Sequence, residues 1–370
     1  MAKGQKRHFI VARDRVEVMK EINQNPLLVD IFEQWNHEQQ EEFLKICTGV
    51  KGIKLLYDAF FKEIINPDTT PERLEELLSL ILQVKVKILK VLPHESSRIA
   101  AEDTLLVLDI VVELEDGSIA NVEVQKIGYA FPGERCACYS SDLLLRQYKR
   151  VKGKKGKNFS YKDIKKVYTI IFFEKSPKAF RKFKNTYTYI HRFKQQSDTG
   201  ARLDLLQEYV FINLDILKAK LDNNSVTIEN DLEAWLTFLS IDEPDKIQVF
   251  TEQFPEFVSL YEEVYDMCQN MERFMELFSK ELFELDKNTV QYMMDEMQDE
   301  LDEMTKRLSE TKEELTGAQE ELTNTQEELT NTKDELINTK DELSKEREKL
   351  AKMNEENERL QAQLKALMAK

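Results

Sequence analysis

From residue 14 to residue 50 apolar side chains recur at helical spacing (Val18, Ile22, Leu27, Leu28, Ile31, Phe32, Phe43, Leu44, Ile46), with Gly49 and Gly52 as stops. This predicts a small helical lead-in over 1–50. KGIKLLYDAFFKEII (51–65) reads as a further helix that Asn66-Pro67-Asp68 breaks. Thr70 as N-cap and Pro71 at the first helical position then open PERLEELLSLILQVKVKIL, a helix that gives way to extended chain near Val84. Strands are predicted at 104–114, 118–125 and 166–175, with a helix over 134–151 between the second and the third. Two more extended pieces follow at 185–194 and 205–214, and helical periodicity returns from Asn230. The order β-β-α-β with added strands predicts a mixed α/β core over 51–215 and a helical region over 216–287.

From about Asn288 the period becomes seven. With leucine at a, the series runs Met294, Leu301, Leu308, Leu315, Leu322, Leu329, Leu336, Leu343, Leu350, and d runs Met297, Met304, Thr311, Ala318, Thr325, Thr332, Thr339. A heptad repeat held this long predicts a coiled coil over 288–370 and, through it, a homo-oligomer. Small or polar residues at d make each heptad a weak seam, so length must supply the stability. The near-identical units EELTNTQ, EELTNTK and DELINTK also permit register slips. Placing leucine at d instead would put Gln319, Gln326, Lys333, Lys340 and Arg347 at a, a poorer seam. A single long surface helix is the other reading, since no proline follows Pro255 and Gly317 is the only glycine of the stretch.

Charge sharpens this division. The net charge is −16, of which residues 281–370 carry −12, leaving −4 for the first 280 residues. Within those, 145–195 holds 17 Lys and Arg against Asp163 and Glu174, a local +15 that suits phosphate backbones. Cys47, Cys136, Cys138 and Cys268 are too few and scattered for a disulfide framework, and no second Cys or His pair completes a zinc site with Cys136 and Cys138. A reduced, cytoplasmic protein is expected, with neither a signal peptide nor a membrane span. His8, His37, His94 and His191 form no cluster, and no Gly-rich phosphate loop or nucleophile elbow is present.

LDIVVELEDGSIANVEVQK (108–126) carries the candidate chemistry. Glu115-Asp116-Gly117 suits a three-residue hairpin loop whose glycine is left-handed. Leu114 then pairs with Ser118, Val112 faces Ala120 and Ile110 faces Val122 on an apolar face, while Asp109 falls opposite Glu123 on the other. A two-residue loop would separate the two acids onto opposite faces. Directly opposed β-carbons lie roughly 4.5–5.5 Å apart, close enough for one divalent ion to bridge both carboxylates, whereas like charges without an ion destabilise a sheet. Gln125 shares the Glu123 face. The competing reading is a pair of solvent-facing acids, as Glu113 and Glu115 beside them are expected to be.

YDAFFKEIINPDTTPERLEELLSLIL, LDIVVELEDGSIANVEVQ and FPGERCACYSSDLLLRQY, in that order, resemble the PD-(D/E)XK nuclease superfamily, and within it the Rpn-type group of recombination-promoting nucleases and transposases. The resemblance covers about 49–215. Asp58 and Lys62 match the group's Asp-x-x-Phe-Lys opening; Arg135, Tyr139 and Gln147 match the helix after the catalytic strand. It implies a mixed-sheet nuclease core with flanking helices and a Mg2+-dependent deoxyribonuclease, with Mn2+ as a substitute. Asp109 and Glu123 would be the metal ligands and the Val124 carbonyl a third. Gln125 would orient the attacking water, and Asp58 would add an outer contact. The superfamily's usual residue at Gln125 is lysine. The group shares the glutamine, but a neutral amide cannot stabilise developing charge, and Lys126 sits on the opposite face. The burden moves to metal and to Lys62 or Arg135, each of which also has a bland reading as a surface cation.

Arg135, Tyr139, Gln147, Lys152, Lys154, Lys155 and Lys157 are expected to contact nucleic acid, with KGKKGK (152–157) as a flexible phosphate-gripping loop. A solvated basic loop is the alternative. No base-reading motif is present. Two functions stay open: a metal-dependent DNA endonuclease dimerised by its coil, or a nuclease-derived protein without turnover that binds nucleic acid or a partner.

Overall fold

Three short helices open the chain, each started by side chains its own sequence supplies: α1 (Arg15–Gln24), α2 (Pro26–Gln34) and α3 (His37–Cys47). In the computed structural model, which describes residues 13–92, 109–127, 132–223 and 227–368, Asp14 caps α1 at the Val16 N–H and Asn25 caps α2 ahead of Pro26. Asn36 and Gln39 form a reciprocal capping box on α3. Residues 51–57 are not helical, against expectation. The Gly52 N–H donates to the Asp242 carbonyl at 2.6 Å, and a Cβ at Gly52 would lie 2.9 Å from that oxygen. Close tertiary approach therefore overrides local propensity, and α4 is confined to Asp58–Ile64. Pro71 starts α5 (Pro71–Leu82) as expected, but the Thr70 hydroxyl donates back to the Asn66 carbonyl at 3.2 Å in place of capping.

Left-handed Gln83 ends α5 and turns the chain into β1 (Ile88–Leu92). Then come β2 (Ile110–Leu114), β3 (Ile119–Ile127), α6 (Pro132–Lys155), β4 (Val167–Lys175), the single turn α7 (Lys178–Arg181), β5 (Ile190–Lys194) and β6 (Gln207–Asn213). The first part of the strand expected at 104–114 lies outside the described residues. The six strands order as β1-β2-β3-β4-β6-β5, with β3, β4 and β6 parallel and the other pairings antiparallel. The last strand in sequence thus sits inside the sheet and β5 forms an edge. This is the mixed sheet with flanking helices that the β-β-α-β order predicts.

The period of two in each strand decides what each face meets. Val112, Ala120, Val122, Ile170 and Ile212 enter the large core built with α1–α5 and with α8 (Leu214–Leu221), α9 (Asp231–Ser240), α10 (Pro244–Gln253) and α11 (Val258–Gln269). Val111, Ile119 and Val167 pack instead on Tyr139 and Leu143 of α6. Glu113, expected in solvent, is buried under α6 between Lys90 and Arg150, each at 3.0 Å, because α6 covers this face.

The final helix, α12 (Met271–Met368), begins well before the heptads. Phe274 and Phe278 are fully buried: Phe43 stacks on Phe274 at 4.9 Å and Trp35 meets Phe278 at 5.0 Å. The lead-in helices and the start of α12 therefore share one core. The chain divides into two compact units, Met1–Met297 and Gln298–Lys370. In the second, the heptad leucines from Leu301 to Leu350 are 53–70% exposed. The Thr311, Thr325, Thr332 and Thr339 hydroxyls each donate to the carbonyl four residues back at 2.8 Å, so these d positions carry no unsatisfied polar group and offer a methyl. Among the described residues no helix is long and apolar enough to cross a membrane.

Candidate active site

The hairpin adopts the register its loop demands. Gly117 is left-handed at φ 86°, its N–H donates to the Leu114 carbonyl at 2.9 Å, and the Leu114 N–H donates to the Ser118 carbonyl at 2.8 Å. Val112 pairs with Ala120 and Ile110 with Val122, where the ladder ends; Asp109 lies in the bend just before β2, one register step from Glu123. Asp109 is tied down from both sides: Oδ2 accepts the Val124 N–H at 2.9 Å and Oδ1 lies 3.3 Å from Lys62 Nζ. Lys62 reaches it from α4, so the helix and the hairpin meet at one carboxylate. Glu123 is 2% exposed, and its Oε1 accepts the Asn121 side-chain N–H at 2.9 Å. Asn121 itself is fully buried and its Oδ1 has no hydrogen-bond partner. Sequence reasoning passed over Asn121, although the period of two that joins Glu123 to Gln125 joins Asn121 to both.

A family model of PD-(D/E)XK nuclease family transposases matches residues 55–296. The chain belongs to this family. No curated protein and no solved structure matches it. The matched stretch runs beyond the motif resemblance, through α8–α11 and into α12, so the helices that complete the core belong to the family as well as the sheet does. Membership in this nuclease family supports a nuclease-type function, and such nucleases generally use divalent metals.

In this family member the expected site residues of α6 fall into two groups near its opposite ends. At its start, the Arg135 guanidinium donates to the Tyr139 hydroxyl at 3.2 Å. Burial, reinforced by the charge of Glu123 and opposed by Arg135, pushes the Cys136 thiol well up, which puts Glu123, Arg135 and Cys136 in one neighbourhood. At the far end, Gln147 is no nucleic-acid contact: it is fully buried, its amide N–H donates to the Gly117 carbonyl at 3.2 Å, and its Oε1 accepts the Lys165 N–H at 2.7 Å. It clamps α6 to the hairpin loop and the entry to β4. KGKKGK is not a flexible loop either. Lys152, Lys154 and Lys155 lie in the last turn of α6 and Lys157 in the 3-10 turn Gly156–Asn158, all exposed. Cations there complement the negative end of the helix dipole, which lets the helix run on through them. Asp58 opens α4, and its side chain lies outside the described residues.

Whether this site suits a divalent cation can be tested on its donors. Among the described residues no three His, Cys, Asp or Glu side chains gather into a cage. A carboxylate just before β2 and one on β3 are the hard-oxygen set that Mg2+ takes, since it is held by one or two carboxylates and keeps several waters. The buried Asn121 Oδ1 adds an oxygen acceptor beside Glu123. These residues fit the ion.

Proposed function

We propose that this family member is a Mg2+-dependent DNA endonuclease of transposase type, able to use Mn2+, which hydrolyses phosphodiester bonds and self-associates through the heptads of α12. Asp109 and Glu123, one register step beyond the Ile110–Val122 pair, carry this reading, with Gln125 two residues on from Glu123 and Lys62 3.3 Å from Asp109. Asp109, Glu123 and the Val124 carbonyl would hold the ion. When bound, it supplies Lewis-acid neutralisation of the phosphate and a water of lowered pKa. Gln125 orients the attacking water through its amide oxygen. Because that amide is neutral, Lys62 and Arg135 supply the fixed positive charge beside the reacting phosphate, and Asp58, at the start of α4, would add an outer contact. Asn121 positions Glu123 through its hydrogen bond. The nuclease core is taken as 51–215, the lead-in over 1–50 and the helices over 216–287 buttress it, and 288–370 brings copies together. Free cysteines accord with a cytoplasmic setting.

Plasmid cleavage tests the reading. Purified protein should nick or linearise DNA only with Mg2+ or Mn2+, and Asp109→Ala and Glu123→Ala should each abolish this while circular dichroism stays native. Metal should also raise the melting temperature of the wild type but not of Asp109→Ala, because only an intact site gains binding energy in the folded state. Metal-independent cleavage, or full activity in either variant, overturns the site.

A further inference from the structure

The basic end of α6 is remote from the carboxylates. Arg135 and Lys155 are about 20 residues apart on one helix, roughly 30 Å at 1.5 Å per residue, close to one turn of duplex. Gln147 fixes the direction, since it holds the hairpin loop, and from that end of β3 Glu123 is about 13 Å further along the strand. Lysines here are therefore not clamps for the phosphate being cut.

What they surround is a cluster of aromatic rings. Tyr148 of α6 and Tyr161 of the following turn lie near parallel, centroids 6.2 Å apart and planes 10° off. Phe159 meets both edge-on, at 5.5 Å and 5.4 Å, and holds them in place. Lys152 Nζ donates to the Tyr148 hydroxyl at 2.7 Å, 5.1 Å from the ring centroid. Tyr161 is 77% exposed, far more than a ring serving only the fold needs. Asp163 is the single acid between Leu143 and Phe173, and it pairs with Lys155 at 2.5 Å. Lys149, Lys154, Lys157, Lys162 and Lys165 are exposed and form no ion pair among the described residues.

We infer that this cluster is a second nucleic-acid platform, separate from the cleavage centre, that binds an unpaired DNA strand by stacking a base on Tyr161 while the surrounding lysines hold the backbone. An open ring flanked by unpaired cations is the chemistry that binds single strands without sequence preference. Duplex offers its base faces only at its ends, so the exposed ring selects the unpaired form. The choice of DNA over RNA rests on the nuclease reading above. The platform would anchor a single-stranded segment about 20 Å from the point of cutting, since Tyr148 lies about 13 residues beyond Arg135 on α6.

The test is fluorescence anisotropy with full-length protein in EDTA, which stops cleavage, on a labelled oligo-dT 20-mer, a 20-base-pair duplex and an oligo-U 20-mer. Tyr161→Ala should weaken oligo-dT binding roughly five- to one-hundred-fold, the range that loss of one stacked base gives, and leave the duplex within about twofold. Tyr161→Phe, which keeps the ring face, should bind oligo-dT like the wild type. Unchanged oligo-dT affinity in Tyr161→Ala, an equal loss on duplex, or a ring-dependent effect on oligo-U alone overturns the inference. Ring-dependent oligo-dT binding in a protein that cuts nothing with Mg2+ would support the platform and reject the nuclease reading, so the two stand or fall separately.

Discussion

Asn121, Glu123 and Gln147 show how differently three buried polar side chains can serve one fold. Glu123 is held by Asn121, whose remaining oxygen has no partner, so the pair is complete only with something further in the site. Losing an orienting partner typically costs a metal site ten- to one-hundred-fold in affinity. Asn121→Ala is accordingly expected to shift the Mg2+ midpoint of cleavage upward by about tenfold while Asp109 and Glu123 remain; an unmoved midpoint would reduce Asn121 to packing. Gln147 has both amide groups satisfied by backbone, so Gln147→Ala strands the Gly117 carbonyl and the Lys165 N–H. Each stranded group costs about 1–3 kcal/mol, and a scanning calorimeter should record a melting temperature several degrees lower. The metal-induced rise in melting temperature should persist in that variant, because the clamp lies at the other end of the sheet.

Among the elements, α12 does two unlike jobs along one helix. Its first turns fill the core: Phe278 is 1% exposed and touches Trp35 and Phe43. Phe278→Ala should cost about 3–5 kcal/mol, read as a fall in the urea midpoint, whereas Leu329→Ala, at 69% exposure, should leave the urea midpoint of the core unchanged. The joint between α8 and α10 is electrostatic. Burial works to raise the Glu243 carboxyl, but Lys218 at 2.8 Å and Lys246 at 3.4 Å outweigh it and hold it at about 2, against an ordinary 4.5. A carboxyl depressed on folding adds stability that is full above the ordinary value and is lost as pH falls from 4.5 towards 2. Lys218→Met should therefore lower the melting temperature near neutral pH, by a degree or two since the pair is partly exposed, and the difference from wild type should shrink across that acid window. A difference that grows on acidification would contradict the assignment.

At the scale of the molecule, charge and apolar surface are divided by function. The −16 net charge resides mainly in the tail, while the segment at 145–195 is strongly basic. Part of that basic charge is spent internally, since Arg146 pairs with Asp142, Arg150 with Glu113, and Lys166 with Glu208. The heptad leucines are the long apolar seam open to solvent, and a second copy is what seven-residue spacing fits. Light scattering should find full-length protein larger than a monomer and a chain ended after Leu285, which keeps the buried first turns of α12, monomeric. An unchanged oligomer in the shortened chain would place self-association elsewhere, and a monomeric full-length chain would mean that α12 works as a lone helix.

Local rules alone determined much of this protein. Glu115-Asp116-Gly117 fixed the hairpin register, because left-handed glycine closes that loop, and the register pairs Ile110 with Val122 and so brings Asp109 within one step of Glu123. Pro71 set the start of α5, and the seven-residue period marked the tail as helix. Only the tertiary structure decided the rest. Strand order put β6 inside the sheet, since parallel pairing across a connection leaves no signal in either strand. The approach of Gly52 to Asp242 removed a helix that propensity favours over 51–57. The path of α6 across one face buried Glu113 and Gln147 and carried KGKKGK away from the carboxylates. Each of these depends on contacts between residues distant in sequence, and no local pattern encodes such contacts.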